Sequence, residues 1–514
     1  MASGCLVRKH QYYDSVFLMG VNKRLSQMPG VQQSAALMGT ENNKRLLADM
    51  GIHGDPIDKA TPGDLIVAVI ADSEQAVESA LGNLDSALQA MDGGPRTSTL
   101  HRLEDALHVR PSANLAVFTV PGEYASKEAR KALEAGLNVF IFSSNVPLAQ
   151  EIELKQLGAA RHLLVMGPDC GTSVVGGVGI GFANAVRPGR IGAVGPAGTG
   201  LQEFTTQVHH AGQGISHALG TGSRDLSDSV GGLTTFAALE ALERDPRTEL
   251  VTIIAKPPGP KTLSRLNERL ASYSKPTVAC LLGIPAAADA SPHRQSSART
   301  IDDAVRMAVA LLGGREPKAE KTLSGEERQQ AAEARRGWSP QQKFVRGVFA
   351  GGTFCYQAQQ ILQDHGVQVR SNTPLNPALG LADSNSSLGH TLVDMGAETY
   401  TLGRPHPMID ATMRKQRILA EGRDPEMAVL LVDFILGANA SQDPVGDLMD
   451  PIADAQRSLK ARGGRLTVVA SICGTEGDPQ DLSLQRRLLE DAGVFVFDTG
   501  ARAALFCSEL LNPG

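Results

Sequence analysis

Cysteine is scarce in this chain of 514 residues, and the six present stand far apart. Cys5, Cys170, Cys280, Cys355, Cys473 and Cys507 form no CxxC pair and have no histidine at metal-ligand spacing. That pattern excludes a disulfide framework and a zinc site, so no metal is expected. Aromatic residues reach only 4%, too few for a stacking platform on single-stranded nucleic acid. A net charge of -6 leaves no broad basic surface for a phosphate backbone, and nucleic acid is not an expected partner. Long apolar runs are missing too. Nothing approaches the roughly 20 residues of a membrane span, and "MASGCLVRKHQYYDSVFLMG" lacks the apolar stretch of a secretion signal. The expectation is a cytoplasmic protein with no membrane partner.

What remains is an ordinary globular composition, 42% hydrophobic and 20% charged, in a chain too long for one core. Residues 1–95 alternate strand-like runs ("SVFLMGV", "DLIVAVIA") with segments of helical spacing, which predicts a small α+β domain. "MDGGPRTSTL" then supplies a linker composition. Over 96–188 and 189–313, short apolar strands such as "NVFIFS", "RIGAVG" and "PTVACLLG" are separated by helices of a dozen residues, the grammar of parallel βαβ units. Residues 314–342 are charged and read as a solvated linker or exposed helix. A last α/β domain follows over 343–514, with "MAVLLVDFILG" and "RLTVVASICG" among its strands.

Glycine-rich turns carry the candidate chemistry. In "IGAVGPAGTGLQEF" a strand ends in a turn that opens a helix, where backbone N–H groups and the positive end of the helix dipole meet. Gly195, Gly198 and Gly200 permit close backbone approach, and Thr199 offers a hydroxyl, so a phosphate fits. The turn is neither a Walker loop nor GxGxxG, and a plain strand-to-helix connection is the competing reading. "VFAGGTFC" repeats the same strand-turn-helix outline. In "VMGPDCGTS", Asp169 is a candidate substrate contact, and Cys170 is either a nucleophile or a small buried residue. Arg224, in the polar loop "LGTGSRDLSDSVGG", either pairs with an anionic substrate or bridges to Asp225 or another carboxylate. Gly437, Ala438 and Asn439 end an apolar strand and form a second candidate anion site. "TLGRPHPMID" holds Arg404, His406 and Asp410 in a loop restricted by two prolines. His406 is read there as an acid or base, or as a structural hydrogen bonder.

The segments "VRPSANLAVFTVPGEYASKEARKALEAG", "MGPDCGT", "RPGRIGAVGPAGTGLQE" and "GTGSRDLSDSVGG" resemble, in order and spacing, the α subunit of succinyl-CoA synthetase over about residues 97–313. From 343 on, "HTLVDMGAETYTLGRPHPMIDATMRKQRILAEGRDPEMAVLLVDFILG" is similar to the carboxyl-terminal ligase domain of that enzyme's β subunit. The fusion of both resembles the FdrA/YahF family of acyl-CoA-synthetase-like proteins over essentially the whole chain. The resemblance implies an α/β fold: a Rossmann-like CoA-binding-type domain, two flavodoxin-like ligase domains and a small α+β amino-terminal domain. It implies CoA as a cofactor and phosphate or an acyl or carbamoyl phosphate as ligand. Two helices would aim their amino termini at one phosphate, one opened by residues 195–200 and the other by the turn at 436–439.

The sequence also departs from those ligases. "IPAAADASPHRQSSA" offers His293 near the phosphate-accepting histidine, without its flanking glycines. Lys256, in "AKPPG", stands where the ligases carry a glutamate, and no ATP-grasp nucleotide site is visible. The first expectation is therefore a protein of the succinate-CoA ligase type that handles an acyl or phosphate intermediate with partner subunits. A carbamoyltransferase subunit acting on oxamate and carbamoyl phosphate in purine or allantoin breakdown is the alternative, and a non-catalytic scaffold the third. A small-molecule substrate and a homo-oligomer are expected. Catalysis would rest on helix termini and a cation, with Arg404 and His406 preferred over Arg224.

Overall fold

The computed structural model describes residues 2–11, 13, 15–49, 51–91, 100, 102–284, 295–317, 322–402 and 404–512. The chain divides into two compact units, Met1–Ser112 with Thr401–Pro405, and Ala113–Tyr400 with His406–Gly514.

In the first unit, β1 (Ala2–Arg8), β2 (Val31–Met38) and β3 (Leu65–Ala71) form an antiparallel sheet in the order β1-β3-β2. The central strand, LIVAVIA, is apolar throughout because both of its edges and faces are covered. Leu18, Val21 and Leu25, at helical spacing, pack with Leu65 and Val67. This is the expected α+β domain.

Among the described residues the second unit holds three sheets. A parallel one, ordered β4-β5-β6, comprises β4 (Leu115–Phe118), β5 (Asn138–Ile141) and β6 (Val165–Met166). The next comprises β7 (Thr172–Val175), β8 (Val178–Gly181), β9 (Pro188–Gly195), β10 (Ile215–Gly220), β11 (Leu250–Ala255), β12 (Thr277–Leu281) and β13 (Gln295–Ala298), in the order β13-β12-β11-β9-β10-β7-β8. Its parallel part runs from β13 to β10, and the β7–β8 hairpin adds antiparallel strands at one edge. Although it precedes residue 189 in sequence, this hairpin belongs to the ligase-like sheet.

The third sheet is wholly parallel: β14 (Phe344–Phe349), β15 (Arg370–Ser371), β16 (Thr391–Asp394), β17 (Met427–Ile435), β18 (Thr467–Cys473) and β19 (Phe495–Phe497), in the order β15-β16-β14-β17-β18-β19. β9 and β14 are each the first parallel strand of their sheet, flanked on both sides by strands that follow in sequence. Their carboxyl ends therefore lie at the points where strand order reverses, the crevices in which open α/β sheets take ligands.

The charged segment 314–342 is not all solvated linker. Ser324 and Glu327 form a capping box that starts a helix over Gly325–Arg336, whose Ala331 and Ala334 are buried, and Arg502 pairs with Glu327. Among the described residues no helix is long and apolar enough to cross a membrane.

The two ligase-like sheets meet through helices, and a buried carboxyl lies in that seam. Glu203 accepts the Gly500 N–H at 2.7 Å and faces Gln357 and Asp302. Burial, reinforced by the Asp302 charge, pushes its pKa up to about 8, so the folded state favours the protonated form. Stability from this group is fully present below the ordinary carboxyl range and is lost as pH rises through about 8. Thermal unfolding of wild type should therefore show falling stability from about pH 5 to pH 9, and Glu203→Gln should flatten the slope.

Candidate active site

Each of the two sheets sends a helix out of its central strand. The first, Gly198–His210, follows β9 through Pro196 and Ala197. Leu201 is the first residue of this helix whose N–H reaches an acceptor, Ala197 O at 2.8 Å. The N–H groups of Gly198, Thr199 and Gly200 therefore have no acceptor among the described residues. Gly198 and Thr199 are half-buried and so reachable. Gly195 serves packing, since a Cβ there would stand 2.0 Å from Ile254 O on the neighbouring strand.

The second helix, Gly352–Asp364, follows β14 through Ala350 and Gly351. Asp433 on β17 accepts the N–H groups of both turn residues, each at 2.7 Å, and is held by Arg414 Nη2 at 2.9 Å. Here the Cys355 N–H is the first in the helix to find an acceptor, Gly351 O. The two helix starts are adjacent. A Cβ on Gly200 would stand 2.8 Å from Thr353 Cγ2, so the approach requires a glycine.

Charged side chains gather at this junction. Lys256, just past β11, has its Nζ 4.0 Å from Asp394 Oδ2 at the end of β16. A Cβ on Gly352 would lie 2.5 Å from that oxygen and 3.2 Å from Lys256 Nζ, which places both groups at the start of the second helix. Burial raises the Asp394 pKa, with Lys256 opposing. Asp169 keeps an exposed surface, and desolvation by the protein packed around its carboxyl pushes its pKa up to about 6. A Ser223 hydrogen bond opposes that rise, Glu398 adds to it, and Arg224 and Lys256 counter it. An accessible carboxyl so perturbed in a crevice marks a candidate functional group.

Several sequence expectations need correction. The turn at 437–439 opens no helix; the next begins at Gly446. Its N–H groups are already used, Gly437 donating to Gln480 Oε1 at 3.0 Å and Ala438 to Ala183 O at 3.0 Å, while Asn439 Nδ2 reaches Gly181 O at 2.7 Å. The helix start beside Gly198–Gly200 is that of Gly352, in the "VFAGGTFC" repeat. Cys170 is buried, its thiol pushed up to about 12 by desolvation, so it is no thiolate nucleophile. Arg224 donates to Glu151 Oε2 at 2.9 Å and Val146 O at 2.6 Å. Glu151 in turn pairs with the fully buried Lys155, which reaches Asp225 Oδ1 at 2.6 Å. Arg224 therefore locks a helix to a loop instead of meeting a substrate anion. Arg404 lies in a bend of the first unit, its N–H donating to Thr401 O at 3.1 Å. His406 belongs to the second unit and has its pKa lowered to about 4 by burial and by Arg414, which removes it as an acid or base near neutrality. His293 lies outside the described residues. Sequence reasoning missed Gly352, Thr353, Asp394 and Asp433; the echo of "AVGPAGTG" in "VFAGGTFC" was the available signal.

Comparison with known proteins agrees with this architecture. A family model described as CoA-ligase matches residues 348–509, and one described as AllF, heavy metal-associated domain, matches residues 1–101. The subunit alpha of the ADP-forming succinate–CoA ligase of Methanothermobacter thermautotrophicus is 30% identical over 180 residues, 34% of this chain and 58% of that subunit. The SauD subunit of the ADP-forming sulfoacetate-CoA ligase of Bilophila wadsworthia is 26% identical over 209 residues, 38% of this chain and 67% of that subunit. The YahF protein of Escherichia coli (strain K12) is 37% identical over 520 residues, covering 100% of this chain and 99% of its own length.

Neither group suggested by those families finds a ready fit. In the first unit Cys5 is the lone cysteine, its thiol raised by burial, and no three His, Cys, Asp or Glu side chains converge among the described residues. The described residues of this unit thus do not offer the soft donor set of a heavy-metal site. The loops at the carboxyl ends of β4, β5 and β6 (119–122, 142–147 and 167–171) contain no Lys, Arg or His to meet the phosphates of CoA. Full-length identity to YahF, together with the two ligase-like sheets and the CoA-ligase match, shows that the chain belongs to the FdrA/YahF family of acyl-CoA-synthetase-like proteins.

Proposed function

We propose that the second unit is a ligase-like catalytic body that holds a small acyl-type phosphate, or the phosphate released from it, between the starts of the Gly198 and Gly352 helices. The observation that carries this reading is the meeting of two sets of unpaired helix N–H groups beside the Lys256 ammonium. Helix amino termini and a fixed cation favour negative oxygen, most of all where charge develops during transfer. Asp169, accessible and titrating near pH 6, is the group there suited to accept or return a proton. The nucleotide step and part of the substrate site are assigned to partner chains, and the body is taken to assemble as a homo-oligomer.

A second reading, transfer of a carbamoyl group from carbamoyl phosphate, is favoured by Lys256 itself. An ammonium beside the phosphate supports a free dianion, where a carboxylate would steady a phosphohistidine. Both readings are tested by incubating the chain with acetyl phosphate or carbamoyl phosphate, with and without its neighbouring gene products. Consumption that depends on this chain is expected, and Lys256→Met should weaken phosphate binding by about tenfold, the loss of one charge-assisted hydrogen bond. Phosphate binding unaffected by Lys256→Met would refute the assignment.

A further inference from the structure

His406 has one ring nitrogen satisfied and the other not. Nδ1 accepts the Met408 N–H at 3.3 Å, and the ring packs on Phe182 with centroids 5.5 Å apart. Flanking Pro405 and Pro407 restrict the backbone around it. A neutral imidazole has one N–H and one lone pair, so an N–H pointing at Nδ1 leaves the proton on Nε2. Arg414, on the helix Thr412–Glu421 and paired with Asp433 on β17, is the charge that acts on the ring, and Asp394 on β16, paired with Lys256 after β11, lies close to Nε2. Burial and the Arg414 charge keep the ring neutral down to about pH 4.

The position of Nε2 is informative. A Cβ on Gly396 would stand 2.9 Å from it, 2.7 Å from Ala350 O and 3.3 Å from Asp394 Oδ1. Those atoms belong to the turn that opens the Gly352 helix and to the carboxylate that faces Gly352. Nε2 therefore lies beside the turn that opens the Gly352 helix and beside the Asp394 carboxylate, and its N–H has no acceptor among the described residues. A half-buried N–H donor held at an anion crevice has a natural complement in an oxygen of the ligand.

We propose that His406 donates its Nε2–H to an oxygen of the phosphoryl or carboxylate group held at the two helix starts, keeping that proton throughout the reaction. This rests on the function proposed above and makes His406 a fixed electrophilic donor, distinct from the proton-transfer role expected from the sequence. A neutral imidazole polarises an oxygen without adding a second counter-charge to Lys256.

The test uses the full chain and sulfate, which stays a dianion from pH 5.5 to 8. Calorimetric titration should show His406→Ala weakening sulfate about tenfold and His406→Gln, which retains a side-chain N–H donor, recovering most of the loss. The ratio between wild type and His406→Ala should not change with pH over that range. With ¹⁵N-histidine labelling, the resonances absent from His406→Gln should report a protonated Nε2 and bare Nδ1 at every pH and should move when sulfate is added. A ratio that grows as pH falls through 6 to 7, a proton on Nδ1, or Gln behaving like Ala would overturn the proposal. Sulfate binding that is lost in Lys256→Met yet unchanged in His406→Ala would overturn the role of His406 alone. Absence of sulfate binding to wild type would overturn the anion crevice and this inference with it.

Discussion

Gly200→Asp is expected to reduce sulfate or phosphate affinity by on the order of a hundredfold or more. Two effects combine. The variant places a negative charge at the helix start proposed to hold the anion, a repulsion of about 4 kcal/mol at 4 Å in a partly screened site. It also forces a side chain into the contact between helices, where a Cβ would already be 2.8 Å from Thr353 Cγ2 and 3.0 Å from Ile254 Cγ2. Gly200→Ala separates the two effects. Alanine adds the steric term, about 1–3 kcal/mol of overpacking, without the charge. Its melting temperature should fall while much of the anion affinity survives. Wild-type affinity in Gly200→Asp would place the anion elsewhere.

Asp433→Asn should produce the largest loss of stability, about 3–5 kcal/mol, because it leaves the Arg414 guanidinium buried without a counter-charge. The Ala350 and Gly351 N–H groups go to different Asp433 oxygens, so an asparagine would set its NH2 donor against one of them. In a region of this size that corresponds to a melting point lower by on the order of 10 °C. Replacing both partners with apolar residues, Asp433→Leu with Arg414→Met, should cost much less, since no charge is then stranded. If the single variant melts with wild type, the ion pair does not support the turn before Gly352.

The sequence was most legible where local pattern and burial coincide. The apolar strands "RIGAVG", "ELVTIIA" and "MAVLLVDFI" could be placed because a parallel strand covered on both faces is apolar throughout. β7 and β8 were not placed, because "TSVVGGVGIG" is short and rich in glycine and takes its sheet from β10, more than 40 residues further on. The turn before the Gly198 helix could be found from its glycines. The sequence reading places its partner at "ILGAN", which ends an apolar strand just as "VFAGGTFC" does. What decides is Asp433 behind "VFAGGTFC" and Gln480 and Ala183 already bonded to "ILGAN". Arg224 shows the same limit. Its partner Glu151 is 73 residues away, and only folding reveals that the guanidinium is committed. Lys256 was visible as a charge out of place, but its neighbours Asp394 and Gly352 come from another sheet.

The contact of Gly200 with Thr353 joins segments that lie on one polypeptide. Dilution cannot separate two halves that share a backbone, because their encounter is governed by tether length in place of bulk concentration. The crevice should therefore persist at nanomolar protein, and a chain cut between residues 313 and 343 should form it only when the two fragments are supplied at concentrations high enough to reassociate.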